Sequence, residues 1–274
     1  MGKFDGILFC TDLDGTLYRN DHTVSQENLD AIEYFKSEGG LFTFITGRVP
    51  LTSHEICRMI KPNAPFGCVN GGGIYDPQKQ GFLWMKALPA EAMSLVEYIA
   101  DQLPDVGIQV NTEKQIYFHT YDAAMQWFCD ITGVSPTMRR CSEVTEPVLK
   151  VIFASTEENK LNAVAEMLND HPLADRFAFV RSEQTLYELL PKGVNKGTAL
   201  KRMAQLLGID MRRTVAVGDY ENDVSMLKTA GIGYAVANAR PAAKAVADRF
   251  TVSNEEHAIA AIVTELEQGI LDRA

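Results

Sequence analysis

The N-terminal part of the chain alternates short apolar runs with longer stretches whose apolar residues share one helical face. Residues 7–10 form the first apolar run, and a run without helical period predicts a strand buried in a parallel sheet. Residues 25–38 show the spacing of an amphipathic helix with Ser25 as its N-cap. The same alternation continues with a strand at 41–45, a helix at 51–60 and a strand at 66–69. This order predicts right-handed βαβ units and a parallel sheet.

From about residue 74 the pattern changes to hairpins mixed with helices. A turn that contains Pro and Gly separates the apolar segments 74–76 and 82–84, which predicts a hairpin. Further helices are predicted after Pro89 and near 123–131 and 157–169, and further strands near 108–110, 115–119, 149–154, 177–180 and 186–190. This mixture indicates a separate α+β domain.

The alternation of strands and helices returns after residue 193. Helices are predicted at 196–207, 224–229, 241–247 and 257–270, and strands at 214–217 and 232–235. We therefore predict the α/β fold class, with a doubly wound parallel-sheet core that is interrupted by an inserted α+β domain. The core is expected at 1–79 and 191–274, and the inserted domain at 80–190.

The composition is that of a globular protein with a substantial core. Of the 274 residues, 46% are hydrophobic and 23% are charged, and the length allows one large domain or two ordinary ones. The net charge of −10 argues against a nucleic acid or an anionic membrane as partner, because both bind basic surfaces. A small anionic substrate held by a metal and a few cations remains compatible with this charge.

The cysteines and the apolar segments predict where the protein resides. Five cysteines without a CxxC spacing are expected to be free thiols in a reducing compartment. The first residues contain no long apolar stretch, and no run approaches the roughly 18 apolar residues of a membrane helix. We expect a soluble, cytoplasmic protein, either a monomer or a homodimer.

Two carboxylates directly follow the first predicted strand. Asp12 and Asp14 are separated by one residue and are followed by Gly-Thr. Carboxylates this close repel each other unless a cation lies between them. The pair therefore predicts a metal ion, and its oxygen ligands favour Mg²⁺.

Three more polar clusters lie at the ends of predicted core elements: Thr46-Gly47-Arg48, Lys196 at a helix start, and the set Asp219, Asn222 and Asp223. Because the carboxyl ends of parallel strands meet at one edge of a sheet, we expect these clusters to lie together. Carboxylates, a lysine and a hydroxyl are the groups that phosphoryl transfer through an aspartyl phosphate requires.

With these residues in place, the chain resembles the haloacid dehalogenase (HAD) superfamily, and within it the Cof-type phosphatases with a type IIB cap. The resemblance rests on four motifs in order: Asp-Leu-Asp-Gly-Thr, Ile-Thr-Gly-Arg, the Lys of Gly-Val-Asn-Lys-Gly, and Gly-Asp-Tyr-Glu-Asn-Asp. It covers essentially the whole chain, and the inserted segment corresponds to the cap. One departure is Thr11, which is polar where the family usually has an apolar residue.

The resemblance implies a role for each matched residue. Asp12 would be the nucleophile and Asp14 the general acid and base, whereas Thr46 and Lys196 would bind the transferring phosphoryl group. Asp219 would ligate Mg²⁺ together with Asp12 and the backbone carbonyl of Asp14.

For the remaining matched residues, the resemblance implies alternative roles or only a general location. Asn222 and Asp223 would ligate the ion directly or through water, or hold Lys196. Asn70, Gly71 and Gly72 resemble a loop that faces the substrate, and Gly47 belongs to the same expected binding region. Arg48 would either reach a phosphate or cap the region of the following helix.

Three functions are compatible with these residues. The first is a Mg²⁺-dependent phosphatase of small phosphorylated metabolites, with sugar phosphates as the expected substrates. The second is a phosphosugar mutase that uses the same site. The third is a phospho-acceptor like a response-regulator receiver, against which the Gly-Thr after Asp14, the inserted domain and the length all count.

Overall fold

The computed structural model describes residues 2–269, and the chain divides into two compact units. Unit 1 comprises Met1–Gly47, His54–Trp84 and Asn195–Ala274, and unit 2 comprises Arg48–Ser53 and Met85–Val194. Across residues 2–269, every helix is too short or too polar to span a bilayer.

The strands and helices follow one another in the alternation that the sequence pattern predicts. The strands are β1 (Leu8–Thr11), β2 (Leu41–Phe44), β3 (Phe66–Cys68), β4 (Gly73–Asp76), β5 (Gly81–Met85), β6 (Gly107–Thr112), β7 (Ile116–Thr120), β8 (Val148–Ala154), β9 (Phe177–Glu183), β10 (Leu186–Pro191), β11 (Thr214–Gly218), β12 (Ile232–Ala235) and β13 (Arg249–Phe250). The helices are α1 (Gln26–Ser37), α2 (His54–Ile60), α3 (Glu91–Gln102), α4 (Ala123–Thr132), α5 (Glu158–Asp170), α6 (Lys196–Leu207), α7 (Val224–Leu227), α8 (Pro241–Lys244) and α9 (Ala258–Glu267). Single turns lie at Leu13–Leu17, Pro50–Thr52, Val69–Gly71, Cys141–Glu143, Ala174–Arg176, Met211–Arg213 and Glu221–Asp223.

Unit 1 is built on a five-stranded parallel sheet with the strand order β13-β12-β11-β1-β2. Every residue of β1 is buried, which explains why the strand is apolar except for its last residue, Thr11. The ring of Phe9 packs edge-on against Phe42 on the neighbouring strand, with 5.1 Å between centroids. The predicted fold class is confirmed: this parallel sheet is flanked by helices, and an antiparallel α+β segment is inserted in the chain.

The third predicted strand, β3, was expected in the parallel sheet but does not belong to it. β3 pairs antiparallel with β4, and β3, β4 and β5 form a sheet of their own. A single parallel bridge, between Ile45 and Gly67, connects β3 to the end of β2. The reason is the tight turn at Val69–Gly71, whose residues have positive φ and reverse the chain directly into β4.

Unit 2 contains a five-stranded antiparallel sheet with the order β7-β6-β8-β10-β9. One face of this sheet is apolar and forms a core with α3 and α5. Alternate residues on the opposite face are polar, because successive strand residues point to opposite faces. They include a buried ion pair between Lys150 and Glu188, with 3.0 Å between Nζ and Oε2.

Several predicted element ends shift, and one strand has no counterpart in the sequence prediction. Ser25 accepts a hydrogen bond from the Asn28 amide and caps α1, as predicted. The last helix begins and ends inside its predicted range, and its predicted end at residue 270 lies outside the described residues. Strand β13 is missed because two residues are too short to produce a hydrophobic pattern.

Candidate active site

Asp12 lies directly after β1, where the backbone leaves the parallel sheet. Its amide still donates to the carbonyl of Val217 on β11, over 2.9 Å, so the Asp12 backbone is fixed beside that strand. The chain then turns at Gly15, which has φ +75°. A Cβ at Gly15 would lie 2.6 Å from Oδ2 of Asp219. Glycine is therefore required here both by its backbone conformation and by the close approach of Asp219.

Lys196 begins helix α6 and is fully buried. Asn195 caps this helix by a reciprocal capping box with Thr198, which fixes the first turn. The Lys196 ammonium donates to Oδ1 of Asp12 over 2.5 Å and to Oδ1 of Asp223 over 2.6 Å. The buried positive charge of Lys196 is therefore held between two carboxylates.

Asp223 holds both Lys196 and the loop that contains Asp219. Its second oxygen, Oδ2, accepts hydrogen bonds from the backbone amides of Asp219 and Tyr220, over 2.9 and 3.0 Å. Of the alternatives that the motif leaves open for Asp223, the structure contains the contact with Lys196. Its role as a metal ligand stays a prediction.

The electrostatics of the cluster are dominated by burial and by negative charge. Burial and the neighbouring Asp223 carboxylate raise the pKa of Asp12 well above its usual range, against the effect of Lys196. The same causes raise the pKa of Asp219 to about 7. Burial on its own lowers the pKa of Lys196, but the carboxylates of Asp12 and Asp223 outweigh it and the pKa is raised. Asp12, Asp219 and Asp223 contribute three carboxylates to this site, and Lys196 contributes one ammonium.

The cluster has the donors that a hard divalent cation prefers. Oxygen atoms of Asp12, Asp219 and Asp223 lie within 4.8 Å of one another, and all three residues are buried. In addition, Oδ1 of Asn222 is buried and has no hydrogen-bond partner among residues 2–269. Carboxylate and amide oxygens of this kind fit a divalent ion, and its charge would balance the excess of carboxylates. The site can therefore hold a metal ion.

The second motif and the glycine loop lie close together in unit 1. The Thr46 carbonyl accepts a hydrogen bond from the Asn70 amide over 3.0 Å, and both residues are buried. A Cβ at Gly47 would lie 3.1 Å from Nδ2 of Asn70. Asn222 donates its side-chain amide to Oδ1 of Asn70, over 3.0 Å.

Each of the other predicted site residues has different neighbours. A Cβ at Gly71 would collide with the backbone oxygen of Asn195, so this glycine packs against the start of α6. Gly72 donates to the Val69 carbonyl and closes the turn. Asp14 lies near enough to Asp219 for its charge to contribute to the raised pKa of Asp219. Arg48 belongs to unit 2, and its role stays a prediction.

A family model for haloacid dehalogenase-like hydrolases matches residues 9–263 of this chain. The chain belongs to this family. The resemblance predicted from the four motifs is therefore confirmed, and the match includes residues from all three segments of unit 1 and both segments of unit 2.

Two relatives of this chain are named as phosphatases. The 5-amino-6-(5-phospho-D-ribitylamino)uracil phosphatase YitU of Bacillus subtilis (strain 168) is 27% identical over 261 residues, covering 94% of this chain and 96% of YitU. The phosphatase YwpJ of the same organism is 28% identical over 285 residues, covering 94% of this chain and 99% of YwpJ. The predicted enzyme class, a phosphatase of the HAD family, is confirmed.

A solved structure agrees on the fold. The HAD subclass IIB sugar phosphatase BT4131 has a TM-score of 0.85 and 20% identity, covering 95% of this chain and 98% of BT4131. At this identity the likeness establishes the shared HAD fold, including its inserted domain.

Two residues that the sequence reasoning did not single out donate hydrogen bonds to residues of the candidate site. Thr16 donates its hydroxyl to Oδ1 of Asp219 over 2.9 Å. Asn238 donates its amide to the Gly15 carbonyl over 2.8 Å. Thr16 had a signal, because it is part of the first motif. Asn238 lies outside all four motifs and had none.

Proposed function

We propose that this chain is a Mg²⁺-dependent phosphatase of small phosphorylated metabolites, with sugar phosphates as the expected substrates. Hydrolysis proceeds through an aspartyl phosphate on Asp12. The observation that carries the proposal is the buried contact of Lys196 with Asp12 and Asp223, beside the carboxylate of Asp219. These residues combine a carboxylate nucleophile, a fixed cation and a metal-binding carboxylate, which is what phosphoryl transfer requires.

The name of one relative supports a small, hydroxyl-rich leaving group. YitU is named for a compound with a phosphate on a ribityl chain, which is a sugar-alcohol chain. Sugar phosphates and sugar-alcohol phosphates are therefore the first substrates to test.

The chemistry divides into two displacements at phosphorus. First, a carboxylate oxygen of Asp12 attacks phosphorus and the ester P–O bond breaks, while protonated Asp14 donates its proton to the departing alkoxide oxygen. Then Asp14 takes a proton from a water molecule, whose oxygen attacks the same phosphorus. The bond to Asp12 breaks, inorganic phosphate leaves, and Asp14 is protonated again.

The other residues orient the groups and stabilise charge. Lys196 and Thr46 would bind oxygens of the phosphoryl group as negative charge develops on them. Mg²⁺, held by Asp12, Asp219 and the Asp14 carbonyl with Asn222 nearby, would neutralise phosphoryl charge when bound. Asp223 keeps Lys196 in place through the contact described above.

The proposal is tested by phosphate release from a panel of sugar phosphates, sugar-alcohol phosphates, nucleotides and phosphoglycerates, with Mg²⁺ or with EDTA. We expect release that EDTA abolishes and that excess Mg²⁺ restores. Asp12→Asn should abolish turnover, and the exposed Asp101→Asn should be unaffected as a matched control. Undiminished activity of Asp12→Asn would refute the aspartyl-phosphate mechanism.

Two further assays separate the alternatives, one with a bisphosphorylated activator added and one with acetyl phosphate. A mutase would need a bisphosphorylated activator and would yield an isomer in place of free phosphate. A receiver-like phospho-acceptor would accumulate stable phosphate from acetyl phosphate. The cytoplasmic location and the choice between monomer and homodimer remain predictions.

A further inference from the structure

Asn70 contacts residues of two other polar clusters of unit 1. Its backbone amide donates to the carbonyl of Thr46, and its side-chain Oδ1 accepts from Nδ2 of Asn222 over 3.0 Å. A Cβ at Gly47 would lie 3.1–3.5 Å from the side-chain amide atoms of Asn70, so this amide packs against the Gly47 backbone. The side chain of Asn70 thus links the second motif to the fourth.

The backbone around Asn70 adopts a conformation that most residues avoid. Val69, Asn70 and Gly71 have φ values of +56°, +51° and +97°, one after another. Asparagine and glycine tolerate this left-handed region, but a β-branched valine in it is an outlier. Strained backbone of this kind is retained where the surrounding structure needs the position, and it occurs frequently at functional sites.

The hydrogen bond with Asn70 selects one orientation of the Asn222 amide. A carbonyl oxygen accepts but cannot donate, so Oδ1 of Asn70 requires Nδ2 of Asn222 to face it. Oδ1 of Asn222 is thereby turned away from Asn70, and it is buried without a partner among the described residues. A buried acceptor without a partner costs free energy unless a ligand supplies the missing contact.

We propose that Asn70 is a positioning residue. It orients the Asn222 amide so that Oδ1 of Asn222 binds the metal ion or accepts a hydrogen bond from a water molecule on that ion. The proposal rests on the proposed function, because it takes the metal site from there. It assigns to Asn70 a role through Asn222, in contrast to the substrate contact that the glycine loop suggested. Partners that orient a ligand typically change metal affinity about 10–100-fold when they are removed.

The test measures Mg²⁺ affinity by calorimetry in the absence of substrate, for four variants of the full chain. Asn70→Gly removes the amide and keeps a residue that tolerates positive φ. Asn70→Asp keeps an acceptor for Nδ2 of Asn222. Asn222→Ala removes the positioned group, and Asn70→Gly combined with Asn222→Ala completes a double-mutant cycle.

We expect Asn70→Gly and Asn222→Ala each to weaken Mg²⁺ binding about tenfold. The double variant should be no weaker than either single variant, and Asn70→Asp should retain affinity within about threefold of wild type. Independent, multiplicative losses would overturn the proposal. Unchanged Mg²⁺ affinity with a raised KM for the phosphorylated substrate would also overturn it, because Asn70 would then contact the substrate.

Gly47→Ala provides a second approach if Asn70→Gly does not fold. The added Cβ would press on the Asn70 amide without removing it. It should weaken Mg²⁺ binding in the wild-type background and have no effect in the Asn222→Ala background. Equal effects in both backgrounds would overturn the proposal. Absence of Mg²⁺ binding and phosphate release in the wild type would refute the proposed function itself, which is a distinct result.

Discussion

Nζ of Lys196 lies 2.5 Å from Oδ1 of Asp12, although 184 positions separate the two residues in the chain. The contact joins the start of helix α6 to the end of strand β1 and is buried from solvent. A second carboxylate, from Asp223, accepts from the same ammonium. The charge of Lys196 is therefore both part of the proposed chemistry and part of the stability of unit 1.

Replacing Lys196 by Met should abolish phosphate release and destabilise the protein. The variant keeps a long side chain but leaves buried carboxylates without their cation. Removing one partner of a buried ion pair typically costs about 3–5 kcal/mol. Urea unfolding in EDTA at pH 8 measures this loss.

The exposed Lys201→Met, on the same helix, is the matched control and should change the free energy of unfolding little. Equal stabilities of Lys196→Met and Lys201→Met would contradict the assignment of Lys196 as the cation of the cluster.

Asp219 should make the metal-free protein less stable as the pH rises. Its folded-state pKa of about 7 is above the ordinary 3.8, so the folded state binds its proton more tightly than the unfolded state does. The resulting stabilisation is complete below about pH 4 and is lost as the pH rises through about 7. A pKa difference of one between the folded and unfolded states corresponds to about 1.4 kcal/mol of unfolding free energy.

Urea unfolding in EDTA at pH 5 and pH 8 tests this sign. Wild type should lose more unfolding free energy between these pH values than Asp219→Asn, which cannot titrate. Excess Mg²⁺ should restore the stability of wild type at pH 8. The same pH dependence in both proteins would count against the raised pKa of Asp219.

Gly15→Ala should impair the site through contact with Asp219 in addition to backbone strain. The residue has φ +75°, and the added Cβ would lie 2.6 Å from Oδ2 of Asp219. We expect at least a tenfold loss of phosphate release and a destabilisation of about 1–3 kcal/mol.

Gly133→Ala isolates the strain alone, since Gly133 has φ +68° but nothing lies within 4 Å of its added Cβ. It should be destabilised by about 1 kcal/mol and keep its activity. Similar losses of activity in the two variants would mean that the contact with Asp219 is unimportant.

Lys150→Met should destabilise unit 2, because Lys150 and Glu188 form a buried ion pair. The expected loss is about 3–5 kcal/mol, and Lys150→Met combined with Glu188→Leu should recover much of it. Urea unfolding of the two single variants and the double variant gives the coupling energy. Additive losses would show that the pair does not interact energetically.

The local motifs of the sequence predicted most of the residues that meet at the candidate site. Asp12, Lys196, Asp219 and Asp223 each follow or begin an apolar element, and the carboxyl ends of parallel strands meet at one sheet edge. Their order along the chain was therefore enough to predict a carboxylate and lysine cluster. The contact between Asn70 and Asn222 was not predictable, because it depends on a strained turn whose valine carries no turn signal.

The hydrophobic pattern determined the parallel sheet and the inserted α+β segment, since both follow from local periodicity. The four polar motifs were evident from their residue types at the ends of the predicted elements. The antiparallel pairing of β3, the link from Lys196 to Asp223 and the buried pair of Lys150 and Glu188 were decided only by the tertiary structure. The pairing of β3 with β4 depends on the backbone of the turn between them, whereas the two ion pairs join elements that are not consecutive in the chain. A side chain's local pattern specifies the face it occupies, whereas its partner depends on which element packs against that face.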